Sequence, residues 1–365
     1  MSVQVSYKKQ VVLGFFLIVM LFSVLEGISQ ILWYNIQNAC ELENRYYEDS
    51  SLDFRKKLCF DYKNIKYTTD VIRRNAPNQN LNTISINSHG FRGPEISQDK
   101  SGGEYRVIMV GGSTTFGVGA TNDASTIPAL LEDKLQDKFG PKIQVINAGV
   151  IAARSAEEVF YVKNDLIKFK PDLIIVFDGY NDAFNINLSE YDANSIYDSA
   201  DDDSLTVSGM IKKYFKFLAL PNVIYQYTHD SMQISYLTED VKKQNTAAWI
   251  NRWNEICQLE YTDGFKLLVT LQPMIGTSDR KLPPIEEGMF KQHKTQKTLE
   301  FLNDLGSSLD QLQCGSADLR HSFDGINKQV FVSPVHTGDF ANEIIAEKLY
   351  EKTLSIISQD LLLDK

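Results

Sequence analysis

The sequence of 365 residues contains few cysteines and no basic cluster. Its four cysteines include no CxxC pair, which argues against a zinc site. No lysine or arginine run is long enough to form a nucleic-acid-binding face, and the net charge of −10 argues against a partner with a phosphate backbone. No internal repeat is visible, and low complexity is limited to an acidic stretch at 198–204. With 43% hydrophobic residues, the composition is that of a foldable protein.

One long hydrophobic run is present, near the N-terminus. Residues 11–33 are almost uniformly apolar, and about 20 such residues span the hydrocarbon core of a bilayer. Lys8 and Lys9 precede the run, which favours a cytoplasmic N-terminus and an extracytoplasmic C-terminal domain. Glu26 interrupts the run, and a carboxyl at membrane depth costs on the order of 2–3 kcal/mol. We predict a single-pass membrane protein with an anchor at 1–34. A cleaved signal peptide is the alternative, although no small-x-small cleavage site follows the run.

Placement of the C-terminal domain outside the cytoplasm would allow its cysteines to form disulfides. One pairing joins Cys40 to Cys59 and Cys257 to Cys314. Three pairings are possible, and the sequence does not choose among them. Free buried thiols are the alternative.

After residue 101, short apolar strands alternate with amphipathic helices. Repeated β-then-α units predict a parallel sheet with helices on both faces. In such sheets, ligands bind beyond the carboxyl ends of the strands. The predicted strands are 106–111, 143–149, 171–179, 266–273 and 329–334, and the predicted helices are 126–139, 155–169, 246–262, 297–312 and 342–362.

Two segments fall outside this alternation. Residues 35–100 are polar and are interpreted as a stalk and a turn-rich segment that leads into the main domain, at 101–365. Residues 183–240 contain the acidic stretch and several short apolar segments, and they are interpreted as an inserted acidic loop with a helical flap. The flap is expected to shape the pocket; a small core of its own is the alternative.

Polar residues follow several of the predicted strands. The first strand leads into GGS, which ends at Ser113, and the third leads into GYND, which contains Asn181. The last predicted strand leads to His336. Because the carboxyl ends of parallel strands meet at one edge of a sheet, we expect these three side chains to lie close together. Each feature alone is more often structural, but the complete set in this order favours a functional site.

A hydroxyl, an imidazole and several N–H donors are the groups that acyl transfer requires. Imidazole, with a pKa of about 6.5, can remove the serine proton at neutral pH. The tetrahedral intermediate carries an oxyanion, and loss of one preorganised donor costs about 2.7–4 kcal/mol. The backbone N–H groups of Ser113 and Ala152 and the amide of Asn181 are the candidate donors. This chemistry requires no cofactor and no metal ion.

The same residues resemble those of SGNH hydrolases, also called GDSL-type hydrolases, over residues 85–355. The family's Gly-Asp-Ser block corresponds to GGSTTFG at 111–117, and the resemblance implies that Ser113 is the nucleophile. A glycine that donates its backbone N–H corresponds to Ala152, and the Gly-x-Asn-Asp block is intact around Asn181. The resemblance implies a three-layer α/β/α sandwich with a flavodoxin-like parallel sheet, here preceded by one transmembrane helix.

The sequence departs from the family pattern in two places. Gly112 stands where the family has aspartate, a change that we expect to be tolerated because this residue does not attack the substrate. The Asp-x-x-His block aligns with SPVH at 333–336, so the aspartate that orients the histidine is replaced by Ser333. Loss of that role costs about 10⁴ in rate in a serine protease. Ser333, Asp339 and Asp324 are the candidates for orienting His336.

Three functions fit these residues. The leading hypothesis is a membrane-tethered serine esterase that hydrolyses an acyl ester, with O-acetyl as one candidate, on a small molecule or a glycan. The second is an O-acyltransferase acting on envelope polysaccharide, in which a sugar hydroxyl outcompetes water for the acyl-enzyme. The third is a catalytically silent glycan-binding or scaffold module, which the serine at position 333 favours.

Overall fold

The structure is a computed structural model in which the chain forms two compact units. The first unit joins Met1–Cys40 with Asp198–Ser235, and the second joins Glu41–Tyr197 with Tyr236–Lys365. The described residues are 6–38, 50–69, 71–184, 218–224 and 238–363.

The first unit contains one long apolar helix, α1 (Tyr7–Asn38). Within it, Tyr7–Asn35 is long and apolar enough to cross a membrane, with a mean hydropathy of 2.6 over an 18-residue window. Large apolar side chains lie exposed along it, among them Ile18 at 69%. Lipid around the helix would account for this exposure, and a signal sequence shares the same pattern. The other described part of this unit is 218–224, which is helical from residue 219 onward.

The second unit begins with a helix and two short antiparallel strand pairs. A small apolar core joins Ile65, Ile84 and Ile86 to Phe116 in the main domain. The described part of the expected stalk therefore packs onto the main domain as well as leading into it. The elements are α2 (Leu52–Asn64), β1 (Tyr67–Thr68) paired with β2 (Arg74–Asn75), and β3 (Gln79–Asn80) paired with β4 (Ser85–Ile86).

A five-stranded parallel sheet forms the centre of this unit. Its spatial order is β6-β5-β7-β8-β9, which is 2-1-3-4-5 in chain order, as in flavodoxin. The inner strands β5 and β7 are buried along their whole length, and the third inner strand, β8, is buried except at Lys266, as expected for strands covered on both faces. The strands are β5 (Tyr105–Gly111), β6 (Ile143–Gly149), β7 (Leu173–Asp178), β8 (Lys266–Leu271) and β9 (Gly315–Asp318).

Helices cover both faces of the sheet, which confirms the predicted three layers. Successive side chains of β5 alternate between two apolar cores: Ile108 packs in the core that contains Trp249, and Val107 packs in the core that contains Leu131. The helices are α3 (Ser113–Phe116), α4 (Ile127–Phe139), α5 (Ser155–Asn164), α6 (Glu239–Asp263), α7 (Pro284–Phe290), α8 (His293–Gly306) and α9 (Asp339–Leu363).

The fifth strand does not lie where the sequence predicted it. Residues 329–334 form a loop with one isolated bridge, between Phe331 and Thr337. Val330 and Phe331 are fully buried in the core, which explains the apolar run without a strand. The actual fifth strand, β9, is an edge strand whose sequence GSAD is mostly exposed, so it lacks the apolar pattern.

One of the expected disulfides is present between α6 and the residue that precedes β9. Cys257 and Cys314 are bonded, with Cα atoms 5.3 Å apart. Cys59 is also disulfide-bonded, and Cys40, its expected partner, lies outside the described residues. Among the described cysteines there is therefore no free thiol.

Candidate active site

Ser113 lies where β5 passes into α3, at the carboxyl edge of the sheet. The transition is tight because the neighbouring positions lack side chains. A Cβ atom on Gly149 would lie 2.1 Å from the backbone nitrogen of Phe116, so α3 packs directly on the end of β6. A Cβ atom on Gly112 would lie 2.7 Å from Nδ2 of Asn181. Glycine at position 112 therefore leaves the space that the Asn181 amide occupies.

Side chains from the residue that follows β8 and from the segment before the sheet hold α3 in place. Thr114 Oγ1 donates to Gln272 Oε1 at 2.8 Å. At the other end of the helix, Tyr62 OH and Arg92 Nη1 donate to the Gly117 carbonyl at 2.6 and 3.0 Å. Arg92 is fixed in turn by Asp123, whose Oδ1 accepts from Nε at 2.7 Å. Tyr62 and Arg92 were not predicted from the sequence, since no motif links them to a serine so far along the chain.

His336 lies within hydrogen-bond distance of Ser113. The Nε2 atom of His336 is 2.8 Å from Ser113 Oγ, and the Nδ1 atom is 2.8 Å from Ser333 Oγ. Ser333 Oγ also accepts the backbone N–H of His336 at 3.1 Å. Desolvation by burial lowers the pKa of His336 to about 4. The imidazole is therefore neutral at pH 7, with one nitrogen able to accept a proton.

Of the three candidates for orienting His336, only Ser333 contacts it among the described residues. The carboxylate of Asp339 accepts from the backbone and the hydroxyl of Thr121, at 2.9 and 2.5 Å. Asp324 accepts the backbone N–H of Asp279 at 2.8 Å. His336 reaches Ser113 from the loop before α9 and not, as predicted, from the end of a strand.

The other two predicted site residues face the same cavity, of about 460 Å³, as Ser113 and His336. Asn181 donates one amide hydrogen to the Ala153 carbonyl at 2.8 Å, which fixes the orientation of the amide and leaves its second hydrogen for another acceptor. Ala152 has a φ of 65°, in the left-handed region. This conformation costs an L-residue roughly 1–2 kcal/mol, so alanine occupies a position that suits the family's glycine better. The remaining lining residues are Tyr62, Val118, Ile151, Tyr180, Gln292, Lys294, Thr295, Ser333, Pro334 and Val335.

A fully buried carboxylate holds the turn that carries Asn181. Asp182 accepts hydrogen bonds from the backbone and the hydroxyl of Ser155, at the start of α5. Arg252 Nη1 lies 3.6 Å from the same carboxylate. The backbone carbonyl of Asp182 accepts from Asn245 Nδ2 at 2.9 Å. The intact Gly-x-Asn-Asp block thus combines one residue that faces the cavity with one that anchors the turn.

Two further acids are buried beneath this turn. Asp178 ends β7 and accepts from Trp249 Nε1 at 3.0 Å. Desolvation, followed by the charge of Asp182, raises the pKa of Asp178 to about 7. Desolvation, followed by the charge of Asp178, raises the pKa of Glu158 well above its usual range. Burial beside Asp178 therefore favours the protonated form of Glu158.

Comparison with known families agrees with this fold. Residues 107–349 match the model of the GDSL-like lipase/acylhydrolase family, which covers more than half of the chain. The chain therefore belongs to this family, whose members are ester-bond hydrolases. Comparison with curated proteins gives no match.

Several solved structures are similar to parts of this chain at low sequence identity. One is an α/β hydrolase from the metagenome of Lake Arreo, Spain, at 13% identity and a TM-score of 0.42, covering 70% of this chain and 97% of that one. Another is an acetylxylan esterase from Geobacillus stearothermophilus, at 11% identity and a TM-score of 0.41, covering 70% and 96%. A third is the acetyl xylan esterase AlAXEase, at 15% identity and a TM-score of 0.40, covering 67% and 98%.

Proposed function

We propose that the protein is a membrane-tethered serine esterase that hydrolyses an acyl ester through Ser113 and His336. The observation that carries the proposal is the 2.8 Å separation between Ser113 Oγ and His336 Nε2, two residues that line the same cavity. A neutral imidazole at this distance can take the hydroxyl proton as the oxygen attacks the ester carbonyl.

Each reaction step has a candidate group. As Ser113 Oγ bonds to the carbonyl carbon, the carbonyl oxygen becomes an oxyanion. The free amide hydrogen of Asn181, the Ala152 N–H and the Ser113 N–H at the start of α3 are its proposed donors. His336 then gives its proton to the leaving alcohol, and the acyl-enzyme forms. Water, deprotonated by His336, releases the acid and restores the serine.

The substrate is proposed to be an acyl ester of a small molecule or a glycan. Val118, Ile151 and Val335 give the cavity apolar surface, which suits an acyl group, and O-acetyl is one candidate. A series of p-nitrophenyl esters of increasing acyl length would define the preference. A sharp fall in kcat/KM beyond acetate would support the O-acetyl assignment.

Membrane attachment is proposed through residues 11–33 of α1, with the esterase domain on the extracytoplasmic side. The length and hydropathy of Tyr7–Asn35 support a membrane span. The disulfide between Cys257 and Cys314 supports an oxidising compartment for the domain. Retention in the membrane fraction after alkaline extraction tests the anchor, because a cleaved signal peptide would leave a soluble chain.

Covalent labelling tests the proposed nucleophile directly. A fluorophosphonate probe should label the full chain, and Ser113→Ala should abolish labelling and lower kcat by about 10⁴-fold or more. Ser101→Ala, which removes an exposed serine, is the matched control and should keep both the labelling and the wild-type kcat. A wild-type chain that resists the probe and turns over no ester would instead indicate a catalytically silent module.

A further inference from the structure

A carboxylate within the apolar helix α1 accepts hydrogen bonds from backbone N–H groups in a distant part of the chain. Glu26 of α1 accepts the backbone N–H of Ala219 at 2.5 Å and that of Leu220 at 3.0 Å. Gln30, one turn later on α1, donates to the same carboxylate at 2.7 Å. All these residues belong to the first compact unit.

These contacts explain how the helix accommodates an acid within its hydrophobic run. Glu26 lies seven residues before the end of the run at Trp33, which is about 10 Å along the helix axis. Without partners, an acid at membrane depth costs a few kcal/mol. The first N–H groups of a helix have no partners within that helix and carry partial positive charge. The Glu26 carboxylate accepts hydrogen bonds from two of these N–H groups, and these bonds in turn stabilise the carboxylate.

The segment that supplies these amides is itself suited to lipid. Its sequence, LALPNVI at 218–224, contains no charged residue. Its one polar side chain, Asn222, donates to the Leu218 carbonyl at 2.8 Å within the segment. Ala219 and Val223 are buried, whereas Ile224 is 53% exposed. The segment thus has a buried side and an apolar outer surface.

We propose that residues 218–224 enter the lipid bilayer beside α1 and that Glu26 is the internal cap that holds them there. The partner of this surface is the acyl-chain region of the membrane. The inference rests on the proposed anchoring of α1. It gives residues 218–224 of the inserted segment a role in membrane attachment. Most of the acidic loop and flap expected from the sequence, at 185–217 and 225–237, lies outside the described residues.

Quenching by lipid tests this arrangement in the full chain. Single cysteines at I18C, I224C and S101C are labelled with an environment-sensitive fluorophore in phosphatidylcholine vesicles that contain spin-labelled lipid. The unsubstituted chain measures background labelling. We expect quenching at position 224 to match that at position 18, on the exposed face of α1. Both should exceed quenching at position 101, in the esterase domain, by about fivefold or more.

Glu26 variants test the cap. Glu26→Ala removes both acceptor oxygens, and quenching at position 224 should fall about twofold or more. Glu26→Gln keeps one acceptor oxygen and should retain most of the quenching. Ser23→Ala is the control, because Ser23 bonds only to Val19 within α1 among the contacts described for it, and quenching should not change.

The outcomes separate the cap from the anchor. Quenching at position 18 with none at position 224 would overturn the inference and leave the anchor intact. Undiminished quenching at position 224 in Glu26→Ala would overturn the role of Glu26. Absence of quenching at position 18 would remove the anchor itself and the inference with it.

Discussion

The hydroxyl of Ser333 lies 2.8 Å from Nδ1 of His336, where the family has a carboxylate. This difference affects the tautomer of the imidazole. A carboxylate only accepts at this position, so it keeps the proton on Nδ1 and leaves Nε2 free to act as base. A hydroxyl can donate as well as accept. The backbone N–H of His336 occupies one lone pair of Ser333, and the second lone pair remains for Nδ1–H.

Ser333→Asp should increase esterase activity. A carboxylate would fix the productive tautomer and stabilise the imidazolium that forms in the transition state, so we expect kcat to rise by about tenfold or more. Ser333→Ala should lower kcat by about tenfold, because Nδ1 loses its partner. Initial rates with p-nitrophenyl acetate measure both changes. Equal activity in all three proteins would show that Ser333 does not orient His336.

The acid limb of the pH–rate profile should lie near pH 4. The pKa of His336 is lowered to about 4 because its charged form is desolvated, so the imidazole stays available as a base well below pH 6.5. The pH dependence of kcat/KM measures this limb in the free enzyme. In Ser333→Asp the limb should move to higher pH, since a carboxylate favours imidazolium. A wild-type limb near 6.5 would contradict the assignment.

The lowered pKa of His336 keeps the imidazole available as a base in acid, but it also makes the folded protein less stable there. Below pH 6.5 the unfolded chain binds a proton at His336 that the folded chain does not, so this group reduces stability as the pH falls from about 6.5 towards 4. Tryptophan fluorescence must therefore confirm, at each pH of the profile, that the domain is folded. Trp249 and Trp253 are fully buried in that domain and suit this measurement.

Asn181→Ala should reduce kcat by about 10²–10³-fold with little change in KM. The amide is proposed to contact the oxyanion only after it forms, so its loss affects the transition state more than the bound substrate. Asn164→Ala is the matched control, because that amide bonds to the Phe160 carbonyl at an exposed site. A loss of less than about tenfold in Asn181→Ala would remove the residue from the proposed oxyanion site.

Ala152→Gly should stabilise the domain by about 1 kcal/mol. Glycine adopts a φ of 65° without the strain that alanine bears. Ala247→Gly, in the interior of α6, should instead destabilise by about 1 kcal/mol. Urea midpoints of the full chain in detergent compare the two. Equal destabilisation by both substitutions would show that the conformation of Ala152 is unstrained.

Asp178→Asn should weaken the pH dependence of stability between about pH 4 and 7. With its pKa raised to about 7, folded Asp178 stays protonated where the unfolded chain ionises, so stability falls as the pH rises through this range. Asparagine keeps an oxygen that can accept the hydrogen bond of Trp249, and it does not titrate. Near pH 7 we expect a gain of about 1–3 kcal/mol. The exposed variant Asp137→Asn should show the wild-type profile, and an unchanged slope in Asp178→Asn would refute the prediction.

The inner part of the sheet was predictable because its strands are apolar throughout. The glycine-bounded run of β5 and the Leu-Ile-Ile-Val-Phe run of β7 are buried on both faces, and only strands between two helical layers need such runs. The edge strand β9 was not predictable, since only Ala317 of its four residues is buried. The apolar run at 329–334 was wrongly predicted to be a strand, because a buried loop needs the same apolar residues as a buried strand.

The site residues that belong to sequence motifs were predictable. The contacts that depend on packing between distant parts of the chain were not. The order of Ser113, Asn181 and His336 along the chain indicated their convergence before any distance was known. Whether Ser333, Asp339 or Asp324 orients the imidazole depends on how the loops fold, and the motif alone could not choose. The pairing of Glu26 with Ala219 depends on two segments 193 positions apart, for which no local pattern exists.

Tyr62 and Arg92 donate hydrogen bonds to the Gly117 carbonyl at the end of α3. Residue 107, where the family match starts, is therefore a poor place to begin a shortened chain, because both donors precede it. A recombinant fragment that starts at residue 107 would begin inside β5 and would lack both donors, so the Gly117 carbonyl at the end of α3 would lose both side-chain hydrogen bonds. A soluble version for crystallisation should instead begin at about residue 39, after α1, so that it keeps α2 and also Cys40, the expected disulfide partner of Cys59. A protease that removes α2 would be expected to abolish the proposed esterase activity while sparing every motif residue.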